Sequence, residues 1–164
     1  MRTVDASFEF VRYVAARMRE RDYDEFVSMG WCRDREELAD SLASRYGSAK
    51  GVEVAFTDEG IPAAVGGALE LRPGVVTLLF FATPEFDKIK VGLTKYFLRF
   101  LLPAILNGGA HRVECVTMEA HEGVHRWLEI LGLKREAEHA AYGRSGQKYY
   151  TYAWVKDDVC EASG

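Results

Sequence analysis

The stretch GAHRVECVTMEAHEGVHRWLEILGL, Gly109 to Leu133, decides how this chain is read. A short strand, His111 to Met118, feeds a helix that begins near His121 and ends at Leu131-Gly132-Leu133. Two incompatible readings meet there. In the first, His121-Glu122-Gly123-Val124-His125 is the H-E-x-x-H of a zinc peptidase, two imidazoles one turn apart on one helix face with a glutamate base between them. In the second, the stretch is a strand–helix unit of an α/β domain. Arg126 would set a cation beside the metal, and Gly123 loosens the helix that must present the ligands. Leu128 and Leu131 stand where a metzincin continues with glycine and histidine, leaving only Glu138 or His139 of the following hairpin for a third ligand. The second reading is therefore preferred, with no metal expected.

The rest of the chain agrees with an α/β plan. Asp5 or Ser7 can cap a helix carrying Phe8, Val11, Val14, Ala15 and Met18 at helical spacing, until the polar run Arg19 to Asp22 interrupts it. A second helix is expected over Tyr23 to Met29, and a third after Asp34, with Leu38, Leu42 and Tyr46 on one face and Gly47 at its end. From Val52 the period becomes two. Val52, Val54 and Phe56 form a strand, Asp58-Glu59-Gly60 a turn, and Pro62 to Leu71 a second strand in which Gly66-Gly67 marks a bulge or a close approach. Val75 to Ala82 is a continuous apolar run, read as a central strand covered on both faces. A helix through Val91, Phe97 and Leu101 follows, kinked at Pro103 and ended by Asn107-Gly108-Gly109. The chain closes with a hairpin, Leu133 to Tyr142 and Lys148 to Val155, whose aromatic residues Tyr149, Tyr150, Tyr152 and Trp154 suit cross-strand pairing.

Composition limits the function classes. The 164 residues are 48% hydrophobic and 28% charged with a net charge of -4, so no basic surface points to nucleic acid. No apolar run is long enough for a membrane span, and Met1-Arg2-Thr3-Val4-Asp5 does not read as a secretory signal. Cys32, Cys115 and Cys160 are odd in number and scattered, unlike a disulfide framework. The expectation is one domain over residues 1–156, a loose tail over 157–164, and a protein that stays in the cytoplasm or is packaged in a virion.

The order of helices, three-strand meander, helix, strand, helix and hairpin resembles the GNAT acetyltransferase superfamily. Gly109-Ala110-His111-Arg112-Val113 through Arg126-Trp127-Leu128-Glu129-Ile130-Leu131-Gly132-Leu133 is similar, without a gap, to the family's G-A-x-x-V … N-x-x-A-x-R-F-Y-E-x-L-G-F. A narrower likeness lies upstream. Ala16-Arg17-Met18-Arg19-Glu20-Arg21-Asp22-Tyr23-Asp24-Glu25 resembles the N-M-R-x-x-D-x-x-E opening of small GNAT-like proteins of tailed phages and prophages, some of them internal virion proteins, which also tend to carry R-W-L-x-x-L-G.

The resemblance implies a mixed, mostly antiparallel sheet flanked by helices. It also implies that acetyl-CoA lies with its pantetheine arm between two splayed central strands and its pyrophosphate on amides at a helix start. The residues so placed are Phe81, Ala82 and Thr83 at the strand end, then Lys88, Lys90, Val91, Gly92, Leu93 and Thr94. Ile89, Gly92 and Thr94 occupy the family's arginine and two glycine positions, so one of three is kept, while lysines and the Thr94 hydroxyl supply donors. Leu128 stands at the family's acid tyrosine and His121 at its asparagine. Glu114, His121 or Tyr142 is left to move protons for an amine acceptor. Two functions stay open: an acyl-CoA-dependent N-acyltransferase, and a non-catalytic descendant that binds phage or host proteins.

Overall fold

The computed structural model describes residues 1–157. Seven strands form one sheet: β1 Arg2–Asp5, β2 Val52–Phe56, β3 Pro62–Arg72, β4 Val75–Ala82, β5 Arg112–Met118, β6 Lys134–His139 and β7 Tyr149–Val155, in the order β1-β2-β3-β4-β5-β7-β6. All neighbours pair antiparallel except β4 with β5, which run parallel. Helices α1 Phe8–Ala16, α2 Glu20–Ser28 and α3 Arg35–Tyr46 lie between β1 and β2. Helices α4 Phe86–Tyr96 and α5 Leu102–Asn107 carry β4 to β5, and α6 Glu122–Ile130 carries β5 to β6.

The apolar run of β4 is buried because both of its faces are covered. Leu79 and Phe81 point into a core shared with Val11 and Val14 of α1, Leu38 and Leu42 of α3, Val54 and Val65. One residue out of phase, Leu78 packs with Phe97, Cys115, Leu128, Leu131, Tyr150 and Tyr152 on the opposite face. Local signals set the helix ends. Ser7 caps α1 by accepting from the Phe10 N–H, and Asp34 caps α3 by accepting from Glu37. At the end of α6, Gly132 takes a φ of +92°, which a residue with a Cβ adopts only under strain.

Several expectations are corrected. The N-terminal part is not wholly helical, because Arg2–Asp5 forms the edge strand against β2. The second helix begins at Glu20, not Tyr23, and the polar residue Asp22 inside it is 2% exposed, held by partners described below. Gly66 and Gly67 remain in register with both neighbours, and the irregularities fall instead at Ala55/Phe56 and Glu70/Arg72. The close approach is real at Gly67, where a Cβ would come 3.0 Å from Val52 Cγ2. The helix after β4 does not simply kink at Pro103. Proline removes one N–H and crowds the carbonyl of Arg99, and the chain answers with a π-helical turn, Phe97–Leu101, in which the Leu102 N–H reaches back to Phe97 O. The last strand begins at Tyr149, and three of its aromatic rings are buried in pairing, as expected. The proposed tail past Asp157, with Cys160, lies outside the described residues. No helix among the described residues is long and apolar enough to cross a membrane.

Phe81 is fully buried, with its ring edge-on to Phe26 at 5.3 Å between centroids. Phe81→Ala should lower the unfolding free energy by about 3–5 kcal/mol in urea titrations, whereas Val91→Ala, at a position 61% exposed, should change it by less than about 0.5 kcal/mol.

Candidate functional site

The site begins where the parallel pair stops pairing. β4 and β5 are in register only at Val75 with Arg112, Val76 with Val113 and Thr77 with Glu114. Beyond that the strands diverge, and the gap between them is one part of a broad open cavity of about 1630 Å³ that also runs along α3 and α4. Leu78, Phe80, Cys115, Thr117, Trp127 and Leu128 are among its walls, with Glu25, His121 and Tyr149 also lining it. Thr117 is 2% exposed, and its Oγ1 has no hydrogen-bond partner. A buried hydroxyl left this way costs free energy.

Diverging strands leave backbone groups without a ladder partner, and α2 supplies replacements. Asp22 Oδ2 accepts from the Ala82 N–H at 2.9 Å, and the Ala82 carbonyl accepts from the Arg19 N–H at 2.9 Å. Glu25 Oε1 accepts from the Met118 N–H at 3.1 Å. One helix thus ties the end of β4 to the end of β5. Arg19, Asp22 and Glu25 are spaced by three residues and fall on one side of α2. Arg19 donates twice to the Asp22 carboxylate at 3.0 Å, and its guanidinium lies 4.9 Å from the Phe86 ring centre. Burial raises the Asp22 pKa above the usual carboxylate value, while Arg19 and the Ala82 N–H work against that rise.

His121 is the third member of this cluster. It is the N-cap of α6 rather than a residue of the helix body, and it is 4% exposed. Its Nδ1 lies 2.7 Å from Glu25 Oε2 and its Nε2 lies 3.4 Å from Asp22 Oδ1. The His125 ring turns elsewhere, with Nε2 3.0 Å from the Met118 carbonyl and the ring stacked on Tyr152. The two imidazoles therefore do not converge, because the first has left helical geometry. Among the described residues no three His, Cys, Asp or Glu side chains are grouped to hold a metal ion. Behind His121, the Tyr149 hydroxyl donates to the Glu25 carbonyl at 2.9 Å and also bonds Ser28, and burial pushes its pKa up to about 12.

The other residues singled out from sequence fall as follows. Glu114 accepts from Arg112 and Arg72, its oxygens engaged at the sheet surface. Tyr142 is 44% exposed in the hairpin connection, its ring 5.0 Å from His139 and 5.4 Å from Tyr149. Phe81 and Ala82 close the β4 core, and Ile89 is buried. Lys88 pairs with Glu85 and Lys90 with Asp87, each three residues away on α4. Val91 faces solvent, Leu93 packs near Phe80 and Phe86, and a Cβ on Gly92 would touch the Met1 side chain. The Thr94 hydroxyl donates to Lys90 O at 2.6 Å and accepts from Trp127 Nε1 at 2.9 Å, so it is already committed. Leu128, at the place of the family's tyrosine, is buried against Phe97 and Cys115. Arg19, Asp22, Glu25 and Thr117 were absent from the candidates, although the three-residue spacing of the first three is plain in the sequence.

No family model and no curated protein matches this chain. Solved structures do. An acetyltransferase of the GNAT family from Bacillus anthracis covers 93% of this chain over 93% of its own, at 13% identity and a TM-score of 0.63. The ribosomal-protein-S18-alanine N-acetyltransferase from Escherichia coli covers 98% over 97% at 14% identity and a TM-score of 0.67. A GNAT superfamily phosphinothricin acetyltransferase from Sinorhizobium meliloti, solved in complex with AcCoA, covers 94% over 88% at 18% identity and a TM-score of 0.69. The chain has the GNAT acetyltransferase fold.

A titration separates the Tyr149 hydroxyl from its surroundings. A folded-state pKa near 12 against about 10 when unfolded means its stabilising effect is whole below pH 10 and is lost as pH rises toward 12. Tyr149→Phe should be about 1 kcal/mol less stable than the parent at pH 8, through its lost hydrogen bonds. That gap should shrink by pH 11, read from urea midpoints at each pH, since Cys115, also pushed up to about 12, titrates alike in both proteins.

Proposed function

We propose that this protein is a GNAT-fold N-acyltransferase-like protein of phage or prophage origin, which takes the acyl-pantetheine arm of an acyl-CoA into the β4–β5 groove. The observation that carries this reading is the divergence of the two strands after Thr77 and Glu114, with the unpartnered Thr117 hydroxyl in the groove wall. The arm is a chain of amides, and a buried hydroxyl is the kind of group that meets one. A bound thioester would bring an activated carbonyl to this groove. An amine acceptor must lose a proton before it attacks, and the His121–Glu25 pair is the arrangement present for that step. With the Nδ1 proton given to Glu25 Oε2, Nε2 is the basic nitrogen, 3.4 Å from Asp22 Oδ1. The Glu25 carboxylate, which lines the groove, also favours a cationic amine there. Glu114 and Tyr142 are the further candidates, the first tied to two arginines and the second one ring away from Tyr149.

A second reading has its own support. Leu128 cannot protonate a leaving thiolate, and the first turn of α4 is occupied by its own side chains and carbonyls. Both facts suit a non-catalytic protein that keeps the fold as a scaffold for phage or host partners, as the N-terminal likeness to internal virion proteins suggests.

Acetyl-CoA separates the two. A ligand at a hundredfold its dissociation constant adds about 2.7 kcal/mol, so the melting point should rise by about 5–10 °C. Thr117→Val should weaken that rise. In an assay of acetyl transfer to a panel of amines, His121→Gln should lower turnover by at least about 100-fold. No shift at millimolar acetyl-CoA leaves the scaffold reading.

A further inference from the structure

The nucleotide half of CoA needs a seat as well as the arm, and the start of α4, next to the end of β4, is where the family resemblance places it. Anions sit at a helix start because its first N–H groups lack partners. Here those groups are all engaged. The Ala82 N–H is held by Asp22, and the Thr83 N–H by Ala63 O at 2.9 Å. Pro84 has none. Glu85 donates to Thr83 Oγ1 at 3.2 Å, Phe86 to Thr83 O at 3.0 Å, Asp87 to Pro84 O at 3.4 Å and Lys88 to Glu85 O at 3.0 Å.

Charge and shape agree with that accounting. Glu85 and Asp87 already bring carboxylates to the positive end of α4, and each neutralises a lysine of the same turn. The strip between the start of α4 and α6 is filled by rings. Phe80 and Trp127 have centroids 4.8 Å apart, Phe80 and Phe86 5.3 Å, Phe86 and Trp127 6.0 Å, with the Arg19 guanidinium over Phe86. A diphosphate leaving the groove on this side would have to break those contacts and displace two carboxylates.

We infer that this protein recognises the pantetheine arm and not the nucleotide: its donor is an S-acylpantetheine unit whose affinity gains nothing from the diphosphate and adenosine. This rests on the reading that the groove takes such an arm, and it adds which part of the donor is read. Phe86 and Trp127 are then residues that determine donor specificity by barring the diphosphate's route.

Isothermal titration of the full chain with acetyl-CoA, with S-acetylpantetheine and with 3′-phospho-ADP, the nucleotide half alone, tests this. The inference expects the first two to bind with dissociation constants within about threefold of each other, and 3′-phospho-ADP neither to bind nor to displace S-acetylpantetheine. Acetyl-CoA binding tighter than S-acetylpantetheine by about tenfold or more, or displacement by 3′-phospho-ADP, overturns the inference while the groove reading stands. If neither acetyl-CoA nor S-acetylpantetheine binds, the groove reading fails and this inference fails with it.

Discussion

Two carboxylates on one short helix hold this structure open. A parallel pair that separates after three residues leaves strand ends with unmet amides, and unmet amides in a core cost more than a sheet of this size can easily bear. Asp22 meets the end of β4 and Glu25 the end of β5, so the divergence becomes a stable shape. His121 lies between them and locks the start of α6 to the same point. Remove the helix from this place and the two strands have every reason to pair along their length. The groove is therefore as much a product of α2 as of the sheet.

The groups that hold the strand ends are also the ones proposed to carry the chemistry, which explains the mixed character of the site. Glu25 uses both side-chain oxygens and its carbonyl, so it acts as a hub for Met118, His121, Ser28 and Tyr149. Such an atom-by-atom commitment holds the imidazole in one orientation. It also leaves little slack for a new partner. The transfer reading draws on the geometry of this cluster, whereas the scaffold reading draws on Leu128 and the occupied start of α4.

Much of this fold was legible before any coordinates. The continuous run Val75 to Ala82 fixed the middle strand to the residue, and the caps Ser7 and Asp34 marked two helices, because those signals are local. β1 escaped notice since four residues at a sheet edge carry too little periodicity to register. The start of α2 was hidden for a different reason: Asp22 reads as polar and solvent-facing, and only the distant Ala82 amide makes it a core residue. The spacing His121-x-x-x-His125 offered a metal reading that other residues already opposed. It implies one helix face only if both residues are helical, and His121 is a cap. Thr117 could not be singled out at all, because a threonine in a strand is ordinary until the neighbouring strand fails to satisfy its hydroxyl.

The sheet's two borders have a consequence for crowding. Its outermost strands are four and six residues long, β1 with Arg2 and Asp5, β6 with Lys134, Arg135, Glu136 and Glu138. Short, ionised margins of this kind resist the backbone-to-backbone docking by which sheets zip into filaments. Even at the densities reached in an overproducing cell, copies of this chain would meet as discrete particles and not as an extending ribbon.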